Sequence, residues 1–154
     1  MNAERPGHTL SATALVHEAF LRLRGSPAGI PADRAQFLHA ASEAMRRILI
    51  EHARARARLK RGGPALRLSL DAIGEVADLA SDDQSDQIVA FDDAFRRLEE
   101  RDPRLAAMVR LRFFAGLSVA ETAAALGVSP RTVNTDWVYV RAWLARELTR
   151  DRAD

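Results

Sequence analysis

Arg131, Thr135 and Val138 share one side of a helical wheel advanced about 100° per residue from Val133, with Thr132, Asn134 and Tyr139 at the flanks. These side-chain types read base edges. An arginine fork matches the two acceptors of guanine, an asparagine amide matches adenine, and threonine or valine methyls fit the methyl of thymine. Val133, Trp137, Val140 and Leu144 form the opposite, apolar stripe, so the polar side is the surface that a recognition helix would push into a major groove. An ordinary bundle helix with a solvated polar face shows the same division. Trp137 and Trp143 read as packing residues, and Asp136, beside the apolar stripe, is expected to pair with Arg110 or Arg112.

The segments around that surface carry start and stop signals. Ser118 with Glu121 three residues on is a capping box; the helix it opens runs through Val119, Ala123 and Leu126 and stops at Gly127. Ser129 caps the next helix, with Pro130 in its first turn, where a missing amide hydrogen does no harm. Two capped helices joined by a three-residue turn predict a helix-turn-helix.

A second stretch has charge chemistry. Asp33, with Gln36, is expected to cap a helix of roughly 27 residues, about 40 Å long, on which Phe37, Ala41, Ala44, Ile48, Ala55 and Leu59 form the apolar stripe, up to Gly62, Gly63 and Pro64. Its polar side grows basic: Arg46, Arg47, Arg54, Arg56, Arg58, Lys60 and Arg61. Cations near a helix C-terminus complement its dipole, but this density exceeds that need and suits phosphate neutralisation. Ahead of it, Ala12, Leu15, Ala19, Phe20 and Leu23 mark an amphipathic helix ended by Gly25. From Arg67 to Arg96 no intervening residue is basic, and Asp71, Glu75, Asp78, Asp82, Asp83, Asp86, Asp92 and Asp93 make the stretch acidic. It reads as a linker. The C-terminal unit then opens near Ile88, with Ile88, Phe91, Phe95 and Leu98 on one helix, and Asp102 capping a second through Ala106, Val109 and Phe113 to Gly116.

The expected fold is all-α: two small helical domains, 9–63 and 88–150, joined by the acidic linker 64–87. The chain has 154 residues, 47% of them hydrophobic, and a formal net charge of +2. It has no cysteine, so disulfides and thiolate metal sites are excluded. No segment approaches the ~20 apolar residues of a membrane span, and the expected location is cytoplasmic, without membrane insertion. His8, His17, His39 and His52 stand singly, and the phosphate-loop, nucleophile-elbow and paired-histidine motifs do not occur. No enzyme, cofactor or metal is expected.

The order of parts resembles the extracytoplasmic-function (ECF) type of bacterial RNA polymerase sigma factor. The resemblance is carried by TALVHEAFLRL at Thr13 to Leu23, FLHAASEAMRRILIEHARARARLKRGG at Phe37 to Gly63, and RLRFFAGLSVAETAAALGVSPRTVNTDWVYVRAWLAREL at Arg110 to Leu148. It implies a region 2-like domain, a linker threading the polymerase's RNA path, and a region 4-like domain. It also implies three sites: Glu18, Phe20 and Arg22 against the polymerase; Arg46, Arg47, Glu51, Arg54, Arg58, Lys60 and Arg61 binding and opening the proximal promoter element; and Arg131, Thr132, Asn134, Thr135 and Val138, with Arg141 toward phosphate, reading the distal element. The implied partners are bacterial core RNA polymerase, promoter DNA and an anti-sigma factor. A further helix is expected ahead of the Thr13 stretch; without it, apolar surface from Phe20, Leu23, Phe37 and Ile48 would be exposed. Two other readings stay open: a conventional helix-turn-helix regulator on a palindromic site, and a truncated, non-initiating protein that binds polymerase or an anti-sigma factor.

Overall fold

The computed structural model describes residues 10–59 and 85–153. Among them the chain is helical, with six α-helices: α1 (Ala12–Gly25), α2 (Arg34–Leu59), α3 (Ser85–Arg101), α4 (Pro103–Val109), α5 (Val119–Leu126) and α6 (Pro130–Ala153). Most of the expected linker, from 64 to 84, lies outside the described residues. Its last three positions, 85–87, form the first turn of α3.

The caps form as their residue types dictate. Ser11 accepts from the Ala14 amide, the Asp33 carboxylate from Gln36, and Asp102 from Arg104 and Leu105. The chain leaves α4 through a π-helical turn, Arg110–Phe114, in which the Ala115 amide donates to the Arg110 carbonyl. That wider turn buries consecutive residues, Phe113 and Phe114, each 1% exposed. Phe113 stacks on Phe91 with centroids 4.4 Å apart, and Phe114 meets Phe95 edge-on at 6.0 Å. Aromatic pairs in these geometries add about 0.5–1.5 kcal/mol beyond their buried area. Gly116, at φ 67°, ends the segment in the left-handed region that favours glycine.

One apolar cluster runs from α1 to α6. α2 is its spine: α1 packs on one side, and α3, the π turn and α5 pack elsewhere along it. This double partnership changes the stripe read from periodicity. Ala44 and Ile48 are buried as expected and Phe37 half so, but Leu49 and Ala53 are buried too, while Ala55 is exposed. On α1, Leu15 and Ala19 are buried, whereas Phe20 is 45% exposed beside Val16 and Leu21. Of the four residues expected to expose apolar surface, Ile48 is buried, Leu23 and Phe37 are half-buried, and Phe20 alone is exposed.

Candidate nucleic-acid interface

The base-reading surface is presented by α5, its turn and α6. Ser118 accepts from the Glu121 amide at 3.1 Å while the Glu121 carboxylate accepts from the Ser118 amide at 3.1 Å, closing the capping box. The Ser118 amide, and after it the Ser118 hydroxyl, hold the Glu121 carboxyl below its ordinary value. Gly127 caps α5 at φ 68°, and the Thr132 amide donates to Ser129 Oγ at the start of α6. The turn is set by local chemistry at both ends.

α6 is anchored by Val133, Trp137, Val140, Trp143 and Leu144, all buried, so the two tryptophans are packing residues. The Arg112 guanidinium lies 5.3 Å over the Trp137 ring and donates to the Leu117 carbonyl at 2.7 Å. Burial lowers its pKa from the usual arginine value. Asp136 therefore pairs with neither Arg110 nor Arg112. Its partner is Arg104, at 2.7 Å, because α4 packs against α6 and turns that side chain outward, while Arg110 is drawn to Glu99 at 2.6 Å.

Opposite the anchor, Arg131, Asn134, Thr135 and Val138 are exposed, Val138 by 69%, and the spacing i, i+3, i+4, i+7 puts them on one stripe. Thr132 is half-buried and its hydroxyl meets Ser129 Oγ at 3.0 Å, so it serves the cap as well as flanking the stripe. The Thr135 hydroxyl donates back to the Arg131 carbonyl at 3.0 Å, on an exposed position. Arg141 is half-buried. Tyr139, 49% exposed, is a further large side chain at the edge of this face.

On α2 the basic residues divide. Arg47, Glu51, Arg54 and Arg58 recur at i, i+4, i+7 and i+11 and so share one stripe, on which Arg47, Glu51 and Arg58 are exposed and Arg54 is half-exposed. Arg46 and Arg56 point elsewhere and are buried. Lys60 and Arg61 lie outside the described residues. Arg46 sits 4.7 Å over the Phe95 ring and 3.4 Å from Asp92 of α3. Asp92 is fully buried and also meets Arg54 at 3.5 Å and Arg96 at 3.1 Å. Burial pushes the Asp92 carboxyl above the usual aspartate range, although Arg46, Arg96 and Arg54 each pull it down. In the sequence, the sole signal of this cluster is the i, i+4 spacing of Asp92 and Arg96.

α1 brings the third set close to the second. Arg22 grips Glu51 through two bonds, of 2.7 and 3.1 Å, and reaches Glu18 at 3.2 Å. That grip lowers the Glu51 carboxyl from its ordinary value. Phe20 borders a shallow apolar hollow with Ala12, Thr13, Val16 and His17.

Among the described residues no group of three or more histidines or carboxylates could hold a metal ion, and no helix is long and apolar enough to cross a membrane. No curated protein and no solved structure shows a significant match to the chain. The family model of ECF sigma factors matches residues 1–150. That family is one of transcription initiation, whose members work with core RNA polymerase and promoter DNA and are not enzymes. With the match spanning nearly the whole chain, from the α1 helix through the exposed stripe of α6, this chain belongs to the ECF sigma factor family.

Proposed function

We propose that the chain directs core RNA polymerase to specific promoters and initiates transcription there, with α5 and α6 acting as a helix-turn-helix that reads the distal element as duplex. The observation that supports this reading most is the exposed stripe Arg131, Asn134, Thr135 and Val138, held outward by a buried seam on the same helix. Thr132 and Arg141 flank it, Arg141 toward phosphate. α2 binds the proximal element through the Arg47, Glu51, Arg54, Arg58 stripe, with Arg46 behind it, and Lys60 and Arg61 add their charge to the same contact. An arginine neutralises a phosphate and releases its counterion; a basic surface opens DNA when it binds the unstacked strand better than the duplex. Glu18, Phe20 and Arg22 dock on the polymerase, where the half-exposed Phe20 supplies apolar area and the Arg22–Glu51 grip ties that contact to the proximal site. Residues 9–63 and 88–150 are the two working units.

Run-off transcription on fragmented genomic DNA of the source organism, with core polymerase plus and minus the chain, tests this. Discrete new transcripts that depend on the chain are expected. Co-purification with core polymerase but no transcript would instead establish a non-initiating binding protein. Binding to a palindromic site without polymerase would establish a conventional regulator.

A further inference from the structure

Apolar packing holds α6 on its bed without fixing its rotation about its own axis. Val133, Trp137, Val140 and Leu144 are buried, but apolar contact is non-directional, and a small roll changes the buried area little. Base reading does not tolerate such a roll. With side chains a helix has a radius of about 5–6 Å, so turning it by about 10° moves a tip by roughly 1 Å. That carries a hydrogen bond out of its usual range of about 2.7–3.2 Å.

Arg112 supplies a directional contact. It lies in the π-helical turn 110–114, where Leu111, Phe113 and Phe114 are each at most 1% exposed and pin the backbone on both sides of it. Its guanidinium lies 5.3 Å over the Trp137 ring and donates at 2.7 Å to the carbonyl of Leu117, the residue before the Ser118 cap of α5. One planar group thus ties the entry of α5 to the segment of α6 that carries Asn134, Thr135 and Val138. At the preceding residue, Asp136, α6 receives a second directional contact, from Arg104 of α4.

Stability does not account for this arginine. Burial lowers its pKa with no carboxylate among the described residues opposing the shift, and its Nε is buried without a hydrogen-bond partner. A cation held in that way costs free energy that an apolar side chain of similar length would not. An apolar side chain cannot supply direction, whereas a guanidinium stacks on a ring face and presents its donors in a rigid fork.

We propose that Arg112 is a positioning residue for promoter reading: through the Trp137 ring and the Leu117 carbonyl it sets the rotation of α6, and with it the base edges that Arg131, Asn134, Thr135 and Val138 reach. It acts through Trp137 and needs no contact of its own with DNA. The inference rests on the reading of α6 as the distal-element helix.

The test uses the chain assembled with core polymerase, in competition between the selected promoter and single-base variants across the distal element, at several salt concentrations. The melting temperature of each free chain is measured alongside. Arg112→Met keeps the apolar stem and removes the charge. Its melting temperature should hold, while preference falls about fivefold or more, the lower end for one lost base contact, at two or more neighbouring base pairs, because the whole stripe turns together. Arg112→Lys keeps the charge without the planar fork and should lose the same preferences. A direct phosphate contact predicts a different pattern: the lysine chain keeps its preferences, and the methionine chain weakens evenly on all sequences with a salt slope lower by about 1. That pattern, or preferences intact in both variants, would overturn the inference and leave the proposed function standing. No base preference in the unsubstituted chain would overturn the reading of α6, and this inference with it. Should Arg112→Met fail to fold, Arg112→Lys decides by the same comparison.

Discussion

Replacing Arg131 with alanine isolates base reading from folding. The side chain is exposed on the first turn of α6, and the helix there is anchored by Val133 and capped by Ser129. Truncation leaves those interactions in place, so the melting temperature should hardly move. Binding is a different matter. A bidentate arginine–guanine pair discriminates by about 1–3 kcal/mol, which corresponds to roughly 5- to 150-fold in affinity. The assay is competition between the selected promoter and single-base variants across the distal element, at one fixed salt concentration. Arg131→Ala should lose that factor on the selected sequence and lose its preference at one base pair, with the other positions keeping theirs. An equal loss on selected and scrambled DNA would show that Arg131 contacts phosphate, and would refute the orientation assigned to α6.

Arg58→Ala, on the exposed stripe of α2, should weaken binding evenly across sequences and reduce the slope of log affinity against log salt by about 1, measured by titration at several salt concentrations. Gly127→Ala should destabilise the chain by about 1–2 kcal/mol in urea unfolding, since φ is 68° and open space around the new methyl leaves conformational strain as the sole cost. Glu51→Gln should cost at most about 1 kcal/mol, because the Arg22–Glu51 pair is substantially exposed. The pair depresses the Glu51 carboxyl, so its contribution is present above the ordinary glutamate range and is lost as pH falls through the depressed value. Unfolding curves of the two chains should therefore differ at neutral pH and converge in acid.

Much of this protein is written in short-range chemistry. The Ser118–Glu121 box, the Gly127 stop, the Asp33 and Asp102 caps and the two faces of α6 each involve residues within a turn or two of one another, and all are legible as spacing. So are the buried Ile88, Phe91, Phe95 and Leu98 of α3, whose spacing i, i+3, i+7, i+10 repeats at the helical period. α2 shows where that legibility ends. With α1 on one side and α3, the π turn and α5 on others, its buried set widens to Leu49, Ala53, Arg46 and Arg56, and periodicity cannot say which arginine faces solvent.

Pairings between helices were likewise decided only in three dimensions. Asp136 could have met any of several arginines; the packing of α4 on α6 selects Arg104. Asp92 reads as one carboxylate of an acidic stretch, yet the fold buries it among Arg46, Arg54 and Arg96. The sequence by itself determined the helices, their caps and the residue types offered to DNA, since those follow from backbone geometry and neighbouring side chains. Tertiary structure alone decided which of the basic residues on α2 are exposed and which are held by α3, because a long arginine can face either way from the same helix and the partner it finds is set by what packs beside it.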